Sequence, residues 1–267
     1  MDNKVAVVTS TYPKHNADQA MEGISKAGFK YVDLATCPGY FEHIDPRPED
    51  MAGDDYKKVL EKVAGYGLTL LAVSGHTRMG KPDTVDSFKK VIDFASKANV
   101  SYVITDTGEV KNKNDEDKFY SDISILADYA KDKNITICLE MHGPWCNTGV
   151  RGAKIIQKAA HPNVKLNYDT SNVIFYGDVR PEEDIDAALP YMAYIHLKDN
   201  GSGKKDDWNF PALGDGILDF DTIIKKLKNY NGPIDAEIEF DGKEHSLEEI
   251  NAAVARSYDF LKGYGYM

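Results

Sequence analysis

Eight short runs of apolar, largely β-branched residues recur along the chain. They are VAVVT (5–9), YVDLAT (31–36), LTLLAVS (68–74), SYVITD (101–106), ITICLE (135–140), VKLNYD (164–169), YIHLK (194–198) and IDAEIEF (234–240). Several are apolar almost throughout, as expected of parallel strands with helices outside and packed side chains inside. Helical patterns separate them. ADQAMEGISKAG ends in a glycine cap, and DSFKKVIDFASKA places Phe88, Val91, Ile92 and Ala95 on one face. DKFYSDISILADYAKD, FDTIIKKLKNY and SLEEINAAVARSYDFLKG behave likewise, the last with a capping box from Ser246 to Glu249.

Strand and helix alternate eight times at about 30 residues per unit, with no low-complexity linker. This predicts an α/β protein, a (β/α)8 TIM barrel, as a single domain over residues 1–267. The 267-residue length suits one such barrel. A doubly wound sheet is the alternative, but no GxGxxG follows the first strand, which leaves a dinucleotide site without support. Two longer excursions, TCPGYFEHIDPRPEDMAGDD and KDNGSGKKDDWNFPALGDG, follow the second and seventh runs and are therefore expected on the catalytic face.

Bulk properties narrow the partners. Hydrophobic residues make up 42% of the chain, enough for a substantial core, and the net charge of −11 argues against nucleic acid. Cys37, Cys138 and Cys146 form no CxxC pair, as expected of free thiols in a reducing compartment. The opening MDNKVAVVTSTYPKH has too short an apolar run for a signal peptide, and no stretch approaches the ~20 apolar residues of a membrane span. The expectation is a cytoplasmic protein without membrane partners, with homo-oligomerisation expected only on base rates.

The last four runs each carry an acid or imidazole at the carboxyl end: Glu140, Asp169, His196 and Glu237, at intervals of 29, 27 and 41 residues. In a closed parallel barrel such ends share one rim. A single charged residue at a strand end is ordinarily solvated, but four in register are not explained that way. Three carboxylates brought together repel and need a cation. Three oxygen donors and one imidazole favour one divalent ion, Mn²⁺ or Mg²⁺, with Co²⁺ or Zn²⁺ compatible. Glu239 lies two residues from Glu237, on the same strand face, and is the alternative fourth ligand.

The segments CLEMHG, NYDTSNVIFYGDVRPEEDI, YIHLKD, NFPALGDGILDF and GPIDAEIEF resemble the sugar phosphate isomerase/epimerase family of xylose isomerase-like barrels. The family also includes ketose 3-epimerases, inosose dehydratase and apurinic endonucleases. In the family the last ligand follows a glycine by five residues, which here selects Glu237 after Gly232. The resemblance implies a metal flanked by two glutamates, with Glu140 and Glu237 as catalytic acid and base. Many relatives carry a histidine three residues after the aspartate, where this chain has Asn172. No Asp-x-His pair follows the seventh run, where Asp206 and Asp207 precede Trp208. One metal ion is therefore expected rather than a three-metal cluster.

Proton removal beside a sugar carbonyl, two carboxylates and a charge-stabilising cation together make an isomerase or epimerase of a small sugar, keto-sugar or sugar phosphate. The alternative is a lyase or dehydratase of a keto-sugar, keto-inositol or 3-keto-glycoside, through the same anion. A phosphodiesterase would need more metals and a basic groove; a non-catalytic sugar-binding barrel has no need of two opposed glutamates. Candidate substrate-binding residues are His76, His142, Asn172, Lys198 and Trp145, with Tyr12, Phe41 and Trp208 as further aromatic walls and Asp199 as a partner for Lys198. For His76, His142 and the aromatics, local packing is the competing role. Arg151 and Lys204 are anion anchors should the substrate carry phosphate, and solvated surface residues otherwise.

Overall fold

A computed structural model describes residues 3–46, 55–76 and 79–267. In chain order the strands are β1 (Val5–Val8), β2 (Tyr31–Cys37), β3 (Phe41–Glu42), β4 (Thr69–Gly75), β5 (Tyr102–Thr105), β6 (Thr136–Glu140), β7 (Val164–Asp169), β8 (Met192–Lys198) and β9 (Ile234–Glu237). All but β3 pair in parallel, each with its sequence neighbour, and β9 returns to β1 with Val5 opposite Ile234 and Val7 opposite Ala236. The result is a closed eight-stranded barrel, as the alternation of runs predicts.

Side chains on each strand alternate between two destinations. Val7, Leu34, Val73, Val103, Leu139, Leu166, Ile195, Leu197 and Ala236 point outward and are buried in one continuous core beneath the helices. Each Val, Leu or Ile among them contributes roughly 1.5–3 kcal/mol as an upper estimate. The inward set is different. Ala72, Ile104, Cys138 and Tyr194 form a small separate apolar layer inside the barrel, and above it the inward residues become polar.

The surrounding helices are α1 (Ala17–Ala27), α2 (Tyr56–Gly65), α3 (Thr84–Lys97), α4 (Lys113–Lys131), α5 (Gly149–Ala159), α6 (Asn172–Gly177), α7 (Pro181–Ala188), α8 (Phe220–Lys226) and α9 (Leu247–Gly263). Gly28 closes α1 at φ 108°, and Ser246 and Glu249 cap α9 reciprocally, as their sequence signatures indicate. The region between β7 and β8 departs from simple alternation by holding two helices. Asp178 at φ 56° ends α6, and Pro181 opens α7 at its first turn.

Two further departures shape the rim. Strand β3 folds back antiparallel on the end of β2, with Cys37 opposite Phe41, which holds Tyr40 and Phe41 at the barrel mouth. The last strand stops at Glu237 instead of running to Phe240. Phe240 adopts φ 56°, unusual for a bulky residue, and exchanges backbone hydrogen bonds with Phe210 at 2.6 and 2.9 Å. That bridge ties the long loop after β8 to the end of β9. Residues 47–54 of the first long excursion lie outside the described residues. No helix among the described residues is long and apolar enough to cross a membrane.

Candidate active site

A cavity of about 360 Å³ opens at the carboxyl ends of the strands. Its walls obey the period of two: Ser10 follows Val8, Cys37 follows Ala35, His76 follows Ser74, His142 follows Glu140, Lys198 follows His196 and Glu239 follows Glu237. Inward polar positions are thus stacked in levels along the barrel axis.

The four rim residues converge. Ligating atoms of Glu140, Asp169, His196 and Glu237 all lie within 4.8 Å of one another, and all four side chains are buried. Register produces this directly, since Asp169 sits opposite His196 and Glu237 opposite Lys198 on neighbouring strands. Nδ1 of His196 is 3.0 Å from Oε2 of Glu237 and 3.8 Å from Oε1 of Glu140. Adjacent ligands of an ion held at about 2.1 Å stand about 3 Å apart, so the donor set fits a small divalent cation. Oδ1 of Asp169 accepts the Ser171 and Asn172 backbone N–H groups, both at 2.8 Å, whereas its buried Oδ2 receives no hydrogen bond.

Charge balance supports the same fit. Burial raises Glu140 to about 8 and Asp169 to about 7, each with the negative charge of Glu237 adding to the effect. Burial also opposes ionisation of Glu237, but Lys198 and His196 outweigh it and hold that carboxyl well below its usual range. Lys198 itself is 2% exposed, and burial works against its charge. Asp169 at 3.5 Å, Glu237 at 3.4 Å and a close ion pair with Glu239 keep the ammonium charged. Its Nζ also lies 4.5 Å from the centre of the Phe210 ring. When all are ionised, the carboxylates of Glu140, Asp169, Glu237 and Glu239 outnumber the two cations among them, Lys198 and His196, an excess of negative charge that a divalent ion would neutralise.

Other sequence candidates divide by location. His76 lines the cavity, with Nε2 3.5 Å from Glu140 and Nδ1 3.9 Å from Asp106. His142 lines it too; its Nε2 pairs with the Tyr176 hydroxyl at 2.9 Å, and burial lowers its pKa to about 4, leaving the ring neutral. Phe41 and Trp208 contribute aromatic faces. Asn172 sits behind the wall, donating its amide to Glu140 Oε1 at 3.1 Å, with its oxygen 3.4 Å from Lys198 Nζ. It orients the Glu140 carboxylate.

Several residues lie elsewhere than their sequence roles require. Trp145 packs edge-on against Phe119 and Tyr120 of the α4 side, away from the cavity lining, because the chain turns outward after His142. Tyr12 is fully buried and donates to Asn251 at 2.9 Å. Arg151 is exposed on α5 and Lys204 is exposed in the β8 loop; neither lines the cavity. Asp199 does not hold Lys198. Successive strand residues face opposite ways, so its carboxylate instead accepts backbone N–H groups of Asn200, Gly214, Gly216 and Leu218 at 2.8–3.3 Å. Gly216 is required there, since a Cβ would lie 2.3 Å from Asp199 Oδ1. Asp199 therefore latches the loop that carries Trp208.

Sequence reading missed a second acidic level beneath the first. Asp33 and Asp235 are fully buried and paired with each other, and burial raises both. Ser74 donates to Asp33 through N–H and hydroxyl at 2.8 and 2.6 Å, and Tyr194 donates to Asp235 at 2.9 Å. Oδ2 of Asp235 lies 3.7 Å from Nε2 of His196, the ring nitrogen facing away from the cluster. The signal was present: Asp235 precedes Glu237 by two, on the same inward face.

Fold and rim define a (β/α)8 barrel with its polar chemistry at the carboxyl ends of the strands. More narrowly, the chain belongs to the xylose isomerase-like TIM barrel family, whose profile matches residues 21–264. Among solved structures it is similar to D-allulose 3-epimerase from Methylomonas sp. in complex with D-allulose (19% identity, 98% and 97% of the two chains, TM-score 0.75). It is also similar to an L-ribulose 3-epimerase (16%, 99% and 94%, 0.77) and to the probable 3-DHS dehydratase AsbF from Bacillus anthracis (14%, 97% and 98%, 0.76). No curated protein sequence matches the chain.

Proposed function

We propose that this protein is a divalent-metal-dependent isomerase or epimerase of a small, uncharged keto-sugar. The observation that carries the reading is the convergence of Glu140 and Glu237 on one buried cluster with Asp169 and His196. These four residues would hold the ion, with Mn²⁺ or Mg²⁺ suited to the oxygen-rich donor set. Bound there, a divalent ion supplies electrostatic stabilisation of the anion formed when carbon beside a carbonyl loses a proton.

The chain's own groups supply the proton traffic. One glutamate removes the proton and the other returns one: return to the opposite face of the same carbon is epimerisation, and return to the neighbouring carbon is isomerisation. Ser10 and Lys198 orient Glu237, while Asn172 and His76 orient Glu140. Neutral His142 offers a hydrogen bond to a substrate oxygen without adding charge, and Phe41 and Trp208 give a sugar ring apolar faces. The cavity's own lining supports an uncharged substrate: its lysine, Lys198, is engaged by carboxylates, and Arg151 and Lys204 lie off it. The likeness to keto-sugar 3-epimerases supports the substrate class.

Incubating the Mn²⁺-loaded protein with a panel of ketoses in D₂O tests the proposal. Deuterium should enter beside the carbonyl, and chelation should abolish the exchange. Metal-independent exchange, or none with any ketose, would sink it. Loss of water or of a substituent accompanying exchange would move the chain to the lyase reading.

A further inference from the structure

The catalytic cavity is not closed on the side of Tyr40 and Trp208. It continues into a second chamber of about 470 Å³, and the two share Ser10, Tyr40, Phe41, Trp208 and Glu239 as lining residues. Two of the shared residues are large aromatics left open to solvent, Tyr40 at 77% and Trp208 at 39% exposure. Single exposed aromatics need no explanation, but two facing one passage from different loops do.

The far wall of this chamber is built at the expense of backbone strain. Phe240 holds φ 56°, and its ring stacks on His245 with centroids 4.3 Å apart and planes 24° apart. Polar groups around it are already engaged with one another. Asp241 accepts from Lys243 Nζ at 2.5 Å and pairs with His245 Nε2 at 2.9 Å. Apart from Lys14 and Glu244, exposed at its outer lining, the surface toward the passage is ring surface, which suits a flat apolar group better than a hydroxyl-rich one. The opposite flank contrasts with it. Beyond Asp106, His142 and Tyr176 lies a chamber of about 900 Å³ whose lysines alternate with Glu109 and Asp115. That chamber also has Phe119 and Tyr176 in its lining, but its mouth is crowded with charged side chains, whereas the Trp208 side presents solvent-open rings.

We propose that this side chamber is a subsite for a flat aromatic aglycone, so that the preferred substrate is a keto-sugar glycoside rather than a free monosaccharide. The assignment rests on the carbohydrate reading of the central cavity. The sugar sits over the rim carboxylates, and the group joined through its glycosidic oxygen passes between Tyr40 and Trp208 toward Phe240.

Ligand-observed NMR titrations of the Mg²⁺-loaded protein test this with four probes: the 3-keto forms of methyl and phenyl β-D-glucopyranoside, cellobiose and phenol. The phenyl glycoside should bind about tenfold more tightly than the methyl glycoside. That ratio should fall to about twofold or less in Trp208→Ala, with Tyr40→Ala falling in the same direction. Trp208 also packs on Phe175 and the buried Phe210, so Tyr40→Ala, at a largely exposed side chain, is the variant free of packing loss, and the ratio within each variant cancels a general weakening of binding. Equal binding of the two glycosides by the wild type, or a ratio that survives both substitutions, overturns the subsite and leaves the carbohydrate reading standing. Cellobiose binding as tightly as the phenyl glycoside overturns the aromatic assignment in favour of a second sugar. Binding of phenol with neither glycoside overturns the carbohydrate reading along with the subsite.

Discussion

Nζ of Lys198 stands 3.5 Å from Oδ2 of Asp169, a buried oxygen that receives no hydrogen bond. The ammonium thus occupies the edge of the carboxylate cluster that fits a divalent ion. Lysine and metal compete for the same negative charge.

Replacing Lys198 with Met should therefore separate two properties. Mn²⁺ affinity should rise about tenfold, because one positive charge beside the site is gone. Thermal stability of the chelated protein should fall by about 3–5 kcal/mol, because the carboxylates lose their buried partner. Calorimetric Mn²⁺ titration and unfolding with chelator read the two effects. Unchanged Mn²⁺ affinity would refute the competition.

Glu140→Gln and Glu237→Gln should each reduce deuterium exchange by about 10²–10⁴-fold. Asn172→Ala should act more gently, since it removes a hydrogen bond to Glu140 rather than the carboxylate; about tenfold is expected. Exchange rates on one ketose across the three variants give the ranking. Asn172→Ala as damaging as Glu140→Gln would place the amide on the substrate instead.

The acidic cluster should make metal-free stability fall as pH rises. Glu140 at about 8 and Asp169 at about 7 hold protons in the folded chain at pH values where the unfolded chain has lost them. Stability is full below the ordinary carboxylate range and declines through these two values. His196, whose charge burial opposes but Glu237 and Glu140 sustain, acts in the same direction. Glu237 is depressed, so its contribution is already complete above its unfolded pKa and does not change in this window. The chelated protein should melt lower at pH 8 than at pH 5.5, at about 2–4 °C per kcal/mol, and Mn²⁺ should narrow the gap by holding the carboxylates ionised. A chelated melting temperature that climbs over that range contradicts the charge assignment.

Asp199→Ala should loosen the Trp208 loop. Four backbone N–H groups lose their acceptor, which costs about 1–3 kcal/mol of stability. Increased amide exchange confined to residues 200–218, measured by mass spectrometry, is the expected signature. Protection unchanged in that segment would show that the latch is dispensable.

Much of this architecture is legible without coordinates. Apolar runs spaced about 30 residues apart require a parallel sheet, and closure places Glu140, Asp169, His196 and Glu237 on one rim because strand ends of a barrel share a face. The period of two also marks Asp235 and Glu239 as inward, since side-chain direction along a strand is a local property. Direction is not contact, however. Whether Lys198 meets substrate or carboxylate depends on the register between β8 and β9, which is set by pairing across the 35 residues between Lys198 and Ile234. Trp145 and Trp208 are both loop aromatics in sequence, yet one packs on a helix and the other lines the cavity. Loop trajectories follow from capping, turn and latch contacts such as Asp199 to Gly216, distant in sequence and unmarked by any periodicity. The chain by itself determined which residues face the barrel axis, because strand geometry is local; tertiary structure decided which of them touch, because that depends on register and loop closure.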